Sequence, residues 1–166
     1  MKNQKAFSLI ELLATLVVAG ILATVALPNL RNFVMQNRMT ARTNELVKAI
    51  NLARLESISH PGVPTFVVPN PDWSTGCKIV RTNAVTKALE DLKIFNFGND
   101  QISITPVNQD SKFKIEYASR GRIRLPTTET TSIEFTLCNQ TNRSRGRKVT
   151  IFATGRVSSE SIETCP

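Results

Sequence analysis

Residues 7–27 form one apolar run, Phe-Ser-Leu-Ile-Glu-Leu-Leu-Ala-Thr-Leu-Val-Val-Ala-Gly-Ile-Leu-Ala-Thr-Val-Ala-Leu, interrupted by a single charge at Glu11. At about 1.5 Å rise per residue, such a run predicts a helix of about 31 Å, long enough to cross a bilayer. Pro28 closes it, and the proline ring, which removes a helix hydrogen bond, predicts a kink there. From residue 29 to residue 59 the pattern changes. Met39, Leu46, Ile50 and Ala53 recur at spacings of seven, four and three, with Arg38, Arg42, Glu45, Lys48 and Arg54 between them. That periodicity predicts an amphipathic helix laying one stripe on a core, so the two halves make one long bent helix. His60-Pro61-Gly62 ends it, because proline disfavours helical backbone in the residue before it and glycine supports a turn.

Beyond residue 62 the pattern becomes short alternating or apolar runs, separated by clusters of Asn, Pro, Gly, Ser and Thr. These predict antiparallel strands at 63–68, 77–82, 92–97, 101–105, 112–118, 123–125, 131–138 and 148–152. The clearest alternation sets Ile133, Phe135 and Leu137 on one face against Glu134 and Thr136 on the other, and the apolar face is expected to lie against the helix. The fold class is therefore α+β: a long kinked N-terminal helix, transmembrane in its first half, packed on an antiparallel β-rich head. The chain divides into a leader (1–6), a membrane helix (7–28), an amphipathic half (29–60) and the head (61–166). At 166 residues there is room for one modest head and no second domain.

Glu11 changes the picture of a plain anchor. A charge within a membrane helix costs about 3 kcal/mol on insertion scales, so it calls for a partner. The backbone amine of a neighbouring copy would serve if residues 1–6 were removed and Phe7 became the terminus. An ordinary secretory signal is excluded by order, since such signals place the cleavage site after the apolar core. Lys2 and Lys5 before the run fit a cytoplasmic leader, with the bulk of the chain exported.

The short basic leader (Lys2, Lys5), then Phe7-Ser8-Leu9-Ile10-Glu11-Leu12-Leu13, then Pro28 closing the run, together resemble a type IV prepilin. The resemblance implies that a dedicated membrane peptidase cuts between Ala6 and Phe7 and methylates the new terminus. It also implies that Glu11 serves assembly with other pilins or pseudopilins. The chain would then sit in the inner membrane with its head in the periplasm before passing to a pilus at the cell surface. The residue before the cut is usually glycine in that family, and here it is Ala6.

A second layer of resemblance covers nearly the whole chain in order. Trp73-x-x-Gly76-Cys77, a hairpin near Gly121, Ile133-Glu134-Phe135 to Cys138, and Arg147-x-Val149-x-Ile151 to Gly155-Arg156-Val157 are similar to the GspH/FimT/FimU group. This implies a minor type IV pilin, or alternatively a GspH-like minor pseudopilin of a type II secretion system. Cys77 stands where that group often carries an aromatic residue. Of the three cysteines, an oxidising compartment is expected to pair two. Pilin-like proteins often staple the C-terminal segment, which implies Cys138 with Cys165 and leaves Cys77 a buried thiol.

Formal net charge is +8, and removing the two leader lysines leaves 19 basic residues against 13 acidic. A basic excess suits anionic partners such as DNA or lipid headgroups. Arg143, Arg145, Arg147 and Lys148 fall in an acid-free stretch followed by Arg156, the local pattern of a phosphate-binding loop, which makes these five the DNA-binding candidates. In the FimT branch, DNA binding is associated with a C-terminal Gly-Arg-x-Arg motif. The matching positions are Gly155, Arg156, Val157 and Ser158, so the second arginine is absent. Gly121-Arg122-Ile123-Arg124 spells the motif upstream, in a different hairpin, where spelling alone does not carry the role.

Catalysis and cofactors find no support in the sequence. His60 is the only imidazole, no serine or cysteine sits in a nucleophile motif, and adjacent Glu90 and Asp91 point to opposite faces of any strand. With no Cys-x-x-Cys pair, no metal site is expected. Trp73 and Tyr117, the single tryptophan and tyrosine, are expected to be packing residues.

Overall fold

A computed structural model describes residues 9–98, 101–107, 109–110, 112–126, 131–141 and 145–165. Helix α1 spans Leu9–Ser59 and is unbroken through Pro28. Beside the proline, the Asn29 amide Nδ2 donates to the Val25 carbonyl at 3.1 Å, and Thr24 Oγ1 donates to Ile21 at 2.6 Å. Pro28 has no N–H to donate to the Thr24 carbonyl, and these two side-chain bonds fall on carbonyls to either side of it, at Ile21 and Val25.

The chain forms two compact units, residues 1–38 and 39–166. In the first, the described apolar side chains are open to their surroundings, with Leu9, Ile10, Leu16, Leu22 and Val25 all more than three-fifths exposed. Apolar surface of that extent is not stable in water and is the surface of a helix made for lipid or for other helices.

In the second unit, the final six turns of α1 bury Met39, Thr43, Leu46, Ala49, Ile50, Ala53 and Ser57, a stripe at steps of three and four with Ala49 and Ile50 side by side at its centre. The two hydroxyls in that stripe are satisfied within the helix, Thr43 Oγ1 on the Met39 carbonyl and Ser57 Oγ on the Arg54 carbonyl, each at 2.8 Å. Their burial therefore costs little.

Nine strands follow: β1 (Thr65–Pro69), β2 (Gly76–Thr82), β3 (Leu89–Asn96), β4 (Ile102–Pro106), β5 (Ile115–Tyr117), β6 (Ile123–Arg124), β7 (Ser132–Asn139), β8 (Gly146–Phe152) and β9 (Val157–Ile162). They form two antiparallel sheets, ordered β3-β2-β1-β5-β6 and β4-β7-β8-β9. Ile133, Phe135 and Leu137 are buried with the α1 stripe in one apolar core, as their alternation predicts. The ring of Trp73 meets Phe135 edge-on, centroids 4.7 Å apart. Trp73 is placed by the loop between β1 and β2. There the Asp72 carboxylate accepts from the backbone of Ser74 and Thr75 at 2.8 and 3.0 Å, and Ser74 Oγ accepts from Ile104 on β4 at 3.0 Å. This loop ties the first sheet to the second.

Strand ends differ from the sequence reading in ways the register explains. β3 begins three residues before the expected start, because Leu89, Glu90 and Asp91 pair with Thr82, Arg81 and Val80 across a bulge. β5 holds only three of the seven residues expected at 112–118. The apolar pattern does not predict β9. Its sequence, Val-Ser-Ser-Glu-Ser-Ile, lacks an apolar alternation because it is an exposed edge strand, held by pairing with β8 rather than by side-chain burial.

Cys138 and Cys165 are joined in a disulfide with Cα atoms 6.0 Å apart, and Cys77 is a free, buried thiol. Cys138 pairs with Gly146 across β7 and β8, and Gly146 pairs with Ile162 on β9. A Cβ at Gly146 would stand 2.5 Å from Cys165 Sγ, so the bridge crosses the sheet where only a hydrogen fits beneath it.

Burial pushes the Cys77 thiol from its ordinary 9.0 up to about 12, raises Tyr117 as well, and Lys148 is raised chiefly by its hydrogen bond to Glu160. All three folded values lie above the unfolded ones. Each group's contribution to stability is therefore whole below its unfolded value and is lost as pH rises towards its folded value. For Cys77 the window runs from about pH 9 to about 12. Urea midpoints of the disulfide-intact protein are expected to hold level through neutral pH and then fall above pH 9, with at most about 1.4 kcal/mol per pH unit from the buried Cys77 thiol. Cys77→Ala should lower the plateau but make the first part of the decline shallower. An unchanged slope in that variant would dismiss the thiol as its source.

Candidate functional site

Two regions carry the residues singled out by sequence. Glu11 lies in the first turn of α1, exposed among leucines and isoleucines. No described basic residue pairs with it within the chain, and the next acidic residue after it is Glu45. Ala6 and Phe7, the expected cleavage junction, lie outside the described residues.

The basic residues of the head do not form the loop cluster expected. Arg143 lies outside the described residues. Arg145 is exposed just before β8, whereas Arg147 and Lys148 lie within the strand and not in a loop. Strand β8 begins two residues earlier than the apolar pattern suggests because Arg147 and Gly146 pair with Leu137 and Cys138 on β7. Lys148 is already matched: its Nζ is 2.9 Å from Glu160 and 3.8 Å from Glu134, on the strands to either side. Two carboxylates around one ammonium leave a net negative spot, unsuited to a phosphate.

Arg156 sits at the opposite end of β8, in the turn to β9. Seven strand residues at about 3.3 Å each separate it from Arg145 by about 23 Å. Its actual neighbourhood is the upstream hairpin. The Ile123 backbone N–H donates to the Ala153 carbonyl at 3.2 Å, and Gly155 is so close to Gly121 that a Cβ would overlap the Gly121 carbonyl oxygen. Gly155 also has φ +78°, a left-handed conformation that L side chains avoid. From α1, Arg54 Nη2 donates to the Thr154 carbonyl at 3.2 Å, fixing the same turn from below. The two Gly-Arg pairs, Gly121-Arg122 and Gly155-Arg156, are thus brought backbone to backbone, with Arg120, Arg122 and Arg156 all exposed around the contact. Arg124, next along, is matched to Glu116 at 3.2 Å.

Sequence reasoning missed Arg54 and Arg120. Arg54 acts on a residue 100 positions away, and nothing local signals it. Beneath this turn the Arg54 Nε and the Tyr117 hydroxyl are buried without a hydrogen-bond partner among the described residues. Tyr117 is otherwise a fully buried core residue, and Trp73 likewise. No group of three or more potential metal ligands occurs among the described residues.

An apolar helix with one early carboxylate, continued as the spine of a two-sheet head with a stapled C-terminus, defines a prepilin-type filament subunit. Residues 1–27 match the prokaryotic N-terminal methylation motif, and residues 42–155 match the family of the type II transport protein GspH. The chain belongs to that family, which comprises minor pilins and pseudopilins. Its fold is similar to that of the type IV minor pilin FimU of Pseudomonas aeruginosa in two crystal forms. The first gives a TM-score of 0.62 at 18% identity, covering 81% of this chain and 99% of that one. The second gives 0.59 at 18% identity, covering 76% and 99%. No curated protein sequence matches the chain.

Proposed function

We propose that this chain is a minor type IV pilin that assembles into or primes a pilus. The observation that carries the reading is the likeness in fold to FimU, which covers 81% of this chain and 99% of that one. A prepilin peptidase would cut between Ala6 and Phe7 and methylate the new amine. The helix would hold the protein in the inner membrane with the head in the periplasm. Glu11 would then pair with the amine of a neighbouring subunit, while Pro28 lets the apolar helix bend within the fibre. Deleting the gene is expected to reduce surface pili while leaving protein secretion intact, with the tagged protein present in sheared fibres. Normal piliation with a secretion defect would instead make the chain a GspH-like pseudopilin.

A second role is favoured by the meeting of Gly121 and Gly155. We propose that the exposed arginines around it, Arg120, Arg122 and Arg156, contact DNA phosphates, rather than Arg143, Arg145, Arg147 and Lys148 acting as one loop. Three phosphate contacts predict a log–log salt slope of about −2.7 with little sequence preference. Titrating duplex DNA with the mature chain in detergent should show that slope, flattened when all three arginines become glutamine. Arg147→Gln with Lys148→Gln should leave it nearly unchanged. No binding at low salt would remove the role, and a greater loss from the β8 pair would return the site to that strand.

A further inference from the structure

The apolar surface of α1 does not stop at the proline. Leu30 is 57% exposed, Phe33 62% and Val34 39%, three residues at steps of three and one that share one side of the helix. Arg31 and Arg38 are exposed and one heptad apart, so they lie within about 20° of each other around the axis, beside that stripe. Between Glu11 and Glu45 the sequence holds no acidic residue, and no described acidic side chain pairs with Arg31 or Arg38. The segment is amphipathic, basic and unmatched.

Its position along the helix identifies the occupant. If Phe7 marks the inner edge of a hydrocarbon core about 30 Å thick, about 20 residues at 1.5 Å bring the helix to its outer edge at residue 27. The headgroup layer beyond, about 6 Å deep, takes the next four or five residues, including Leu30 and Arg31, and the side chains of Phe33 and Val34 just outside it lean back towards it, because helical side chains tilt towards the N-terminus. Arg38 stands about 10 Å further along, and an arginine stem can reach back towards that layer while its apolar part lies on the membrane surface. Charge bias in topology does not account for these residues: the exported flank holds Arg31, Arg38 and Arg42 against Lys2 and Lys5 in the leader.

We propose that residues 30–38 form a lipid-binding collar, in which Leu30, Phe33 and Val34 enter the outer-leaflet interface and Arg31 and Arg38 bind the phosphates of anionic phospholipid. The collar holds the waiting subunit at a fixed depth before assembly. It rests on the reading of residues 9–27 as a membrane helix, and not on the pilus role.

The full chain, reconstituted in phosphatidylcholine vesicles with and without phosphatidylglycerol, tests it through the fraction of spin-labelled phosphatidylglycerol held at the protein surface. Each arginine near a charged surface contributes a preference of about 5-fold. The wild-type chain should therefore favour phosphatidylglycerol over phosphatidylcholine, with the preference screened at high salt. Arg31→Gln with Arg38→Gln should cut the preference sharply, to what Lys2 and Lys5 supply at the opposite face, and Arg31→Lys with Arg38→Lys should keep most of it. Circular dichroism of the head controls for folding. An unchanged preference in the glutamine variant overturns the collar, as does a loss confined to subunit–subunit crosslinking, which would make the face a protein contact. Extraction of the wild-type chain by alkaline carbonate would show instead that the membrane helix itself had been misread.

Discussion

Glu11→Ala is expected to leave the protein processed and inserted in the membrane but to reduce its recovery in sheared fibres on the order of 100-fold. The carboxylate costs about 3 kcal/mol in the hydrocarbon, so a pairing that retains it there must offset at least that much. Removing the charge relieves the insertion cost, which is why the variant should reach the membrane in normal or greater amounts. What it removes is the directional attraction that sets one helix against the next, since leucines and isoleucines pack in many registers and a charge pair in low dielectric does not. A difference of 3 kcal/mol corresponds to somewhat over 100-fold in an equilibrium. Quantitative blotting of membrane and fibre fractions reads both halves of the expectation. Normal amounts of the variant in fibres would end the pairing idea, and loss from the membrane would point to a folding or targeting role.

Reducing the Cys138–Cys165 bond, or replacing Cys165 with serine, should lower the stability of the head by about 3.5 kcal/mol. The sequence separation is 27 residues, and chain-entropy estimates for a loop of that size give this figure. The bridge also holds the chain end beside β9, an edge strand whose exposed serines bury little, so the loss should appear first as exchange of β9 amides. Gly146→Val gives an independent arm. Its side chain would occupy the place of Cys165 Sγ and press on the Leu137 carbonyl, so free thiols should rise at these cysteines in the oxidised protein. Urea midpoints with and without reductant and thiol counting by mass check both. A shift below about 1 kcal/mol on reduction would mean that the chain end contributes little.

Much of the architecture was legible in the chain because burial imposes a period. The stripe of Met39, Leu46, Ile50 and Ala53 and the alternation of Ile133, Phe135 and Leu137 each follow one face of a regular element, and both faces enter the same core. β9 was illegible for the converse reason: an exposed strand that pairs by backbone alone needs no apolar pattern. Arg147 and Lys148 read as part of a basic loop because charge in sequence carries no sign of its partners. Glu134 and Glu160 lie 14 and 12 positions from Lys148 and become its neighbours only through strand register.

The sequence by itself determined the apolar run and its one charge, the helical spine, the β-rich head and the family. Each of these rests on local composition or on a period set by a single element's own geometry. Only the tertiary structure decided which basic residues stand together. The turn at Gly155 meets the hairpin at Gly121 because two sheets close over one helix and Arg54 ties the turn down, a contact between positions far apart in the chain. It likewise placed the bridge over Gly146, where the missing Cβ has meaning only once three strands are in register. Such contacts follow from the packing of whole elements, which no short stretch of sequence encodes.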